Sequence, residues 1–484
     1  MSKGEKKCHA ITILTAIVVL LLTFLGREQM EILPAPPALP KPRRSTTSGN
    51  SPVQERNRIS GILYVQRENY QKYLGNAAYF TTPVLVVKQC GPEERFGHRL
   101  CLLDNIDVNE TSTGLKCSIG PMKVMKRCTS MNCRWGAHYL IPKMHHRDSR
   151  VPPTAYRVLG ACVKPLVYFA DWLQIINFVE SFILQSRNLK STIGRVYWTS
   201  VDTNAQLVMI WYRQMSTLTM VSWSAIQDTE TWSQVFYNGQ LESYYDCAHR
   251  SKHEFQFVAL IDIDEAIVMN NQGGILSELM SLSPSIGSLR LHRIEIIHRL
   301  PFEWDDSMSP TNTSEIPVSD LNFTLSHSTL IRIHALGKSI VRPSALNVAD
   351  VHASSVGGGL KQRYVQIERA VVVHRRRLAV SLTVRDDETR RLLSPHLQSS
   401  YISSINSVAQ QVTINWRHRI RTHPGLPSNL PSVAVHIAIM TDSSYKPGQC
   451  RTLRDDWLPT VLVRRRSWIK ANQTWIPVKY RTLN

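Results

Sequence analysis

The stretch FVALIDIDEAIV, residues 257–268, places three acids inside a run that otherwise has the composition of a buried strand. Apolar residues fill its first half, and Asp262, Asp264 and Glu265 follow before the chain turns apolar again. A charge in such a place is costly unless it is paired or bound to a metal. The stretch therefore predicts a strand that ends either in an exposed acidic turn or in a binding site.

The sequence before this stretch alternates between strand-like and helix-like patterns. Short apolar runs indicate strands, and apolar residues at helical spacing indicate helices. In chain order the segments are VLGACV, DWLQIINFVESFILQSRNL, GRVYWTS, NAQLVMIWYRQM, LTMVSWS, TWSQVFYNGQLESYYDCAHRSK and FQFVALIDID, within residues 158–264. This alternation predicts an α/β domain with a largely parallel sheet, in which ligands bind beyond the carboxyl ends of the strands.

Asp262 and Asp264 are two residues apart, so in an extended segment both side chains leave the same face. Two carboxylates on one face repel each other unless a cation joins them. Mg²⁺ and Mn²⁺ prefer oxygen ligands and keep positions open for phosphate oxygens. The pattern therefore predicts a metal–phosphate site at the end of the strand.

The N-terminus carries an apolar run, AITILTAIVVLLLTFLG, which spans residues 10–26 and has no charge. This length is at the short end for a membrane-spanning helix and suits the thinner membranes of the early secretory pathway. Lysines precede the run, so residues 1–9 are predicted to be cytosolic and the rest lumenal. The competing interpretation is a cleaved signal peptide, although no small-residue cleavage site directly follows the run.

Residues 27–78 are rich in Pro and Ser and are predicted to form an extended stem. Residues 79–155 hold five cysteines and are predicted to form a small disulfide-bearing β region packed on the main domain. Residues 156–385 are predicted to form the main α/β domain. Residues 386–484 are predicted to form a C-terminal extension packed on it.

Beyond Cys8 the chain has an even number of cysteines, as is typical of disulfides in an oxidising compartment, and their pairing cannot be deduced from the sequence. These cysteines are Cys90, Cys101, Cys117, Cys128, Cys133, Cys162, Cys247 and Cys450. Four N-glycosylation sequons agree with a lumenal body: Asn109, Asn312, Asn322 and Asn472.

The formal net charge is +20 and the sequence pI is about 9.7. The basic residues are scattered, and no zinc-finger, homeodomain or RNA-recognition signature accompanies them. The charge is interpreted as a solvated basic surface that attracts anionic substrates, and no nucleic-acid partner is predicted.

Five segments, taken in order, resemble glycosyltransferase family 92. They are CVKPL (162–166), YYDCAHR (244–250), FVALIDIDEAIV (257–268), KSIVRPSALNVADVHASS (338–355) and AVVVHRRR (370–377). The resemblance covers about residues 156–385. It implies the GT-A fold, in which helices flank a central, Rossmann-related mixed sheet.

The resemblance also implies an activity. The expected enzyme is a type II Golgi membrane protein that transfers a hexose to a glycan or glycoprotein. Galactose from UDP-galactose is the leading candidate for the sugar and its donor. Fucose of an N-glycan core is the leading acceptor. Mn²⁺ or another divalent cation would bridge the donor diphosphate, held by Asp262 and Asp264 with His352 as third ligand and His374 as the alternative.

The resemblance also implies inversion at the anomeric carbon, and such a displacement needs a carboxylate that takes the proton of the acceptor hydroxyl. The segment PFEWDDSM offers Glu303, Asp305 and Asp306 beside aromatic residues, and the alternative is a polar surface loop. Candidate contacts to the nucleotide sugar are Lys164, Asp246, Arg250, Lys338 and Arg342.

Three positions depart from the family pattern: Tyr245 replaces an Asn, Ala266 an aromatic residue and Arg376 a Tyr. A catalytically inactive, membrane-anchored glycan-binding protein is therefore one alternative. A phosphatase-like hydrolase is another, because a strand that ends in DxD also opens the haloacid-dehalogenase site. That site expects Thr or Val shortly after the acids, where this chain has Glu265 and Ala266.

Overall fold

The computed structural model describes the chain in segments. These are residues 61–66, 84–89, 99–103, 118–124, 135–140, 157–186, 193–227, 235, 239–270, 274–297, 311–312, 329–376, 390–427, 429–430 and 468–483. The predicted tail and membrane span at residues 1–26 lie outside them. No helix in the described part is long and apolar enough to cross a membrane.

The described segments contain five α-helices and twenty-two strands. The helices are α1 (Trp172–Ser186), α2 (Thr203–Gln214), α3 (Gln240–Ser251), α4 (Gly274–Met280) and α5 (Pro395–Thr422). The first strands are β1 (Gly61–Gln66), β2 (Val84–Gln89), β3 (Arg99–Leu103), β4 (Ser118–Val124), β5 (Trp135–Leu140), β6 (Arg157–Leu166), β7 (Gly194–Trp198), β8 (Ser200–Asp202), β9 (Thr219–Ser222), β10 (Phe255–Ile261) and β11 (Glu265–Met269). The others are β12 (Ile286–Ile297), β13 (Thr311–Asn312), β14 (Thr329–Val341), β15 (Leu346–Val348), β16 (Ser355–Val356), β17 (Lys361–Tyr364), β18 (Ala370–Arg376), β19 (Arg390–Leu392), β20 (Asn429–Leu430), β21 (Trp468–Lys470) and β22 (Trp475–Leu483).

Local sequence explains where two of the helices begin. Asp202 caps α2, where its side chain accepts a hydrogen bond from the backbone N–H of Ala205 at 2.9 Å. The helix predicted over residues 231–252 begins only at Gln240. Gly239 precedes it with φ 76°, a left-handed conformation that a continuing helix cannot contain.

The main sheet has the strand order β11-β18-β12-β14-β10-β6-β7-β9, with β17 and β19 as additional partners of β12 and β14. Strands β10, β6, β7 and β9 run parallel to one another. Strand β14 is antiparallel to both β10 and β12. The expected mixed α/β sheet is therefore confirmed, with the parallel strands on one side and mixed pairing on the other.

The mixed side of the sheet must curl. Only residues 262–264 separate β10 from β11, so the two strand ends lie at most about 14 Å apart. In hydrogen-bonding order, however, β11 is four strands from β10, which in a flat sheet would be about 19 Å. The curl brings β18 and β11 round toward the end of β10.

A second sheet is a closed barrel with the strand order β1-β2-β5-β4-β3-β22. Strand β22, at the C-terminal end of the chain, pairs with both β1 and β3. The barrel thus takes one strand from residues predicted as stem and another from the predicted C-terminal extension.

Helix α5 packs against the helices that cover the parallel strands. Its Arg419 Nε donates to Glu180 Oε1 of α1 at 2.7 Å, and Tyr212 OH of α2 donates to the same oxygen at 2.8 Å. The rings of Trp211 and Trp416 meet edge to face at 5.3 Å between centroids. These contacts join the C-terminal helix to the core of the main domain.

Candidate functional site

The order of the parallel strands defines a crevice. Strand β6 is followed outward by β7 and β9 on one side, and the chain returns to place β10 on the other side. In open α/β sheets ligands bind at such a switch point, beyond the carboxyl ends of the strands. Val163 pairs with Ile261 across β6 and β10, so Lys164 and Asp262 leave the two strands at the same level.

Asp262 accepts contacts from four side chains. Its Oδ2 lies 3.3 Å from Lys164 Nζ and 3.0 Å from Lys338 Nζ. Its Oδ1 accepts hydrogen bonds from Tyr244 OH at 2.8 Å and from Gln240 Nε2 at 3.0 Å. Both carboxylate oxygens are therefore occupied by donors from three elements: β6, β14 and α3.

The two lysines differ in exposure. Lys338 is 2% exposed, and its ammonium also lies 3.1 Å from Glu265 Oε2. The side chain of Lys164 is 34% exposed, so it faces the crevice. Lys338 therefore belongs to the interior of the site and Lys164 to its mouth.

Electrostatics keeps these groups charged. Burial alone would lower the pKa of Lys164, but Asp262, Asp264 and Glu265 together raise it above its usual value. Burial alone would raise the pKa of Asp262, but Lys164, Lys338 and the hydrogen bonds from Tyr244 and Lys338 hold it well below its usual range. A cation at the mouth is thus paired with an anion beneath it at all physiological pH values.

The two aspartates do not leave an extended segment, so that prediction was wrong. Strand β10 ends at Ile261, and the backbone N–H of Glu265 donates to the carbonyl of Asp262 at 3.1 Å, which closes a turn. The Glu265 side chain accepts a hydrogen bond from the backbone N–H of Asp262 at 3.0 Å. Because of this turn, the side chain of Asp264 contacts different residues from those that contact Asp262.

Asp264 contacts His374 of β18. Its Oδ2 lies 2.8 Å from His374 Nε2, whereas its Oδ1 is buried and has no hydrogen-bond partner among the described residues. Burial alone would raise the pKa of Asp264, but His374 lowers it below its usual range. Of the four oxygens of Asp262 and Asp264, Asp264 Oδ1 is thus the one left for a ligand in the described structure.

His374 also contacts β12 through its other ring nitrogen. Arg293 Nη2 lies 2.7 Å from His374 Nδ1, and Glu295 Oε1 lies 3.5 Å from it. Burial alone would lower the pKa of His374, but Asp264 raises it, which on charge alone favours the imidazolium form. A guanidinium can only donate, so Arg293 hydrogen-bonds to Nδ1 in the form of the ring in which that nitrogen carries no hydrogen.

His352 lies in the loop that precedes β16. Its Nδ1 lies 3.3 Å from the carbonyl of Gly337, to which it donates as the neutral ring. Burial, Lys338 and Arg293 lower the pKa of His352 to about 4. The ring is therefore neutral at physiological pH, and its Nε2 has no hydrogen-bond partner among the described residues.

The remaining predicted donor contacts lie in two other places. Arg250 Nε and Tyr197 OH each donate to Asp246 Oδ2 at 2.6 Å, so the helical pair is anchored to β7. The Arg342 guanidinium lies 4.3 Å from the centroid of Phe257 and donates to the carbonyl of Ile286 at 2.9 Å. These roles in donor binding stay predictions.

A disulfide joins Cys162 of β6 to Cys247 of α3. Cys162 lies two residues before Lys164 in the chain. Cys247 follows Tyr244 by less than one helical turn. The sequence could not select this pair among eight cysteines. The bond holds α3, which carries two of the donors to Asp262, against the strand that carries Lys164.

Sequence reasoning missed four side chains of this site, Gln240, Tyr244, Arg293 and Glu295, and gave Glu265 no role. Gln240 and Tyr244 had a detectable signal, since they lie four residues apart on one face of a helix that leads directly into the acidic strand. The candidate bases Glu303, Asp305 and Asp306 lie outside the described residues, and their role stays a prediction.

The sequence predicts that this site binds a divalent cation. Among the described residues, no three His, Cys, Asp or Glu side chains are grouped to hold a metal ion. Taken separately, two side chains carry atoms of the kind that bind a divalent cation: the buried, unpartnered Oδ1 of Asp264, and the neutral ring of His352, whose Nδ1 donates to a backbone carbonyl as in many metal-binding histidines. Asp262 offers no oxygen that is without a donor.

Comparison with known proteins identifies the family. No individual curated protein gives a significant match to the chain. The family model of glycosyltransferase family 92 matches residues 157–414, which begins at the first strand of the main sheet and ends within α5. The matched region holds the crevice and every described side chain of the site. Because the match covers more than half of the chain, the protein belongs to glycosyltransferase family 92.

Proposed function

We propose that this protein transfers galactose from UDP-galactose to a glycan, with inversion at the anomeric carbon. The observation that carries the proposal is the convergence of Lys164, Asp262 and Asp264 at the switch point of the sheet. Fucose of an N-glycan core is the acceptor to test first. The predicted N-terminal anchor and the lumenal cysteines support a type II topology in the Golgi.

Lys164 would supply the positive charge that meets the diphosphate of the donor. Its ammonium is partly exposed and stays protonated because the acids beneath it raise its pKa. A charge-assisted hydrogen bond to a phosphate oxygen is about twice as strong as a neutral one. The same contact strengthens when negative charge builds on the departing UDP, which favours the transition state over the bound substrate.

Lys338 would act differently, because it is buried and already lies between Asp262 and Glu265. It neutralises two carboxylates that would otherwise repel both each other and the anionic donor. Tyr244 and Gln240 fix the orientation of Asp262 and through it that of Lys164. The site thus has one cation, Lys164, at its mouth, above the fixed carboxylates of Asp262 and Glu265.

Asp264 and His352 are the residues that would hold Mn²⁺ or a similar cation. Such an ion would neutralise charge on the diphosphate leaving group. Glu303, Asp305 and Asp306 remain the candidates for the carboxylate that takes the proton of the acceptor hydroxyl.

The test is turnover of UDP-galactose by the purified full chain, with an array of N-glycans as acceptors and with Mn²⁺ present or removed by a chelator. Lys164→Met is expected to reduce turnover by about 100-fold, the usual effect of removing one group that stabilises developing charge. Lys361→Met, at an exposed lysine of β17, is the matched control and should leave turnover unchanged.

Two results would contradict the proposal. Normal turnover by Lys164→Met would remove this lysine from donor binding. Absence of turnover with UDP-galactose and with other UDP-sugars, despite binding of glycans on the array, would favour an inactive glycan-binding protein.

A further inference from the structure

Tyr364 is an exposed aromatic residue near the end of the main sheet at which the crevice lies. Among the described residues three large apolar side chains are exposed, and Tyr364, at 57%, is the aromatic one. It is the last residue of β17, which runs parallel to β12. Strands β12 and β10 are both antiparallel to β14, so β10, β12 and β17 run in the same direction. The ring therefore lies toward the carboxyl ends of the strands, where ligands bind in sheets of this class.

The register of the strands places Tyr364 in one row with the inner part of the site. Tyr364 pairs with Arg290 of β12. Arg290 in turn pairs with Ser339 of β14, and Ser339 with Leu260 of β10, two residues before Asp262. Three strand spacings, about 15 Å at most, thus separate Tyr364 from Leu260. This path is longer than one sugar ring and within the length of an oligosaccharide.

Arg290 holds the ring of Tyr364 in place. Its Nη1 donates to Tyr364 OH at 2.9 Å, and its guanidinium carbon lies 5.3 Å from the ring centroid. Gly337 of β14 leaves room for this arginine, because a Cβ there would lie 3.2 Å from Arg290 Nε. The same Cβ would lie 2.4 Å from the carbonyl oxygen of Leu291, so a larger residue does not fit. The side chain that fixes the ring thus lies against the strand that carries Lys338.

A fixed and exposed tyrosine ring is suited to binding a sugar. The C–H groups on one face of a pyranose ring are apolar and slightly positive, and the negative face of an aromatic ring attracts them. A tyrosine that is already held in one orientation also loses little conformational entropy on binding. We propose that Tyr364 binds a sugar of the acceptor glycan, beyond the sugar that receives the hexose. The inference rests on the proposed function in taking a glycan as the acceptor.

The experiment compares a long and a short acceptor with the full chain and UDP-galactose. The long acceptor is a core-fucosylated N-glycan, and the short one is methyl fucoside. We expect Tyr364→Ala to raise the KM of the N-glycan about 10-fold, as for loss of one aromatic contact. The KM of methyl fucoside and the Kd of UDP should not change, because neither molecule reaches Tyr364. A merely structural role of Tyr364 would change all three.

Two further variants serve as controls. Tyr364→Phe retains the ring and should retain the KM of the N-glycan. Lys361→Met changes an exposed residue of the same strand that projects from its opposite face, and it should leave this KM unchanged as well. An unchanged KM of the N-glycan in Tyr364→Ala would overturn the proposal. If that variant instead changes the oligomeric state, the ring belongs to a contact between copies of the chain, which would also overturn it.

Binding of glycans without transfer distinguishes this inference from the proposed function. If the protein transfers no sugar, retention of the chain on immobilised N-glycan is measured instead. Loss of this binding in Tyr364→Ala, but not in Tyr364→Phe, would support the inference although the proposed function fails. Normal transfer with an unchanged KM of the N-glycan in Tyr364→Ala would have the opposite meaning. A chain that neither binds nor modifies any N-glycan of the array would overturn both.

Discussion

At the scale of single residues, the site is a set of buried charges that neutralise one another. Lys338, Asp262 and Glu265 form the inner part, and Lys164 faces the crevice. Removing one member of a buried pair costs much more than removing an exposed partner, because it leaves the remaining charge without compensation. We therefore expect stability and donor binding to depend on different lysines.

Lys338→Met and Lys164→Met separate the two roles. We expect Lys338→Met to lower the free energy of unfolding by about 3–5 kcal/mol, because Asp262 and Glu265 stay buried without the ammonium between them. Lys164→Met should cost about 1 kcal/mol or less, because its side chain is one-third exposed and its charge is screened. Urea unfolding measures both values, and equal losses would contradict the assignment of Lys338 to the interior.

Glu242 of α3 is another buried carboxyl group, with no role assigned. It is 1% exposed, its Oε2 has no hydrogen-bond partner among the described residues, and burial raises its pKa to about 7. Below pH 4.5 the folded and unfolded chains both hold the proton, so the contribution of this residue to stability is fully present. As the pH rises toward 7, the unfolded chain loses the proton first and the free energy of unfolding falls by up to about 3 kcal/mol.

Glu242→Gln should remove this dependence. The difference in free energy of unfolding between the variant and the unaltered protein should grow in favour of the variant from pH 4.5 to 7 and then level off. Urea unfolding at several pH values measures it. Glu368→Gln, at an exposed glutamate, is the control and should show no such trend. A constant difference across this range would mean that Glu242 is not held in its protonated form.

At the scale of elements, periodicity predicted the strands and helices of the parallel half well. Helices α1 and α2 and strands β6, β7, β9 and β10 lie where apolar spacing placed them. The mixed half was not predictable in the same way, because the curl and the pairing of β12 with β18 depend on contacts between distant segments. Arg293 and Glu295 therefore looked like ordinary strand residues in the sequence.

The pairing of the cysteines also depends on contacts between distant segments, so the sequence could not predict it. Nothing in the spacing of eight cysteines selects Cys162 and Cys247, yet the fold places α3 against β6 at that point. Because α3 carries Gln240 and Tyr244, the bond also fixes the donors that orient Asp262.

Cys162→Ala with Cys247→Ser is expected to lower the free energy of unfolding by about 2–4 kcal/mol, as is typical for loss of a native disulfide. It should also weaken binding of UDP, because α3 is then less firmly held beside Lys164. Calorimetric titration with UDP and urea unfolding measure the two effects. The double variant provides its own control, since dithiothreitol should have no further effect on this site. Unchanged UDP affinity would separate the bond from the site.

At the scale of the whole molecule, the C-terminal segment connects the glycosyltransferase domain to the barrel. Residues 471–474 lead from β21, which pairs with β8, into β22, which closes the barrel between β1 and β3. Trp475 stands at this junction, 1% exposed, with its ring edge to face against Trp223 at 5.1 Å. Its Nε1 donates to the carbonyl of Ser224 at 3.1 Å, and Thr474 exchanges hydrogen bonds with the same serine.

Trp475→Ala tests whether this junction joins the two parts into one folding unit. The change removes a large buried ring and leaves the carbonyl of Ser224 without its indole donor, so we expect a loss of about 3–5 kcal/mol in the free energy of unfolding. If the junction couples the two parts, the barrel and the main sheet should unfold in a single transition that shifts as a whole. Hydrogen exchange at backbone amides of both sheets measures this. Ile414→Ala, at a side chain of α5 that is 56% exposed, is the control and should change stability by less than about 0.5 kcal/mol. Loss of protection in the barrel alone, with the main sheet unchanged, would mean that Trp475 stabilises the barrel without coupling it to the glycosyltransferase domain.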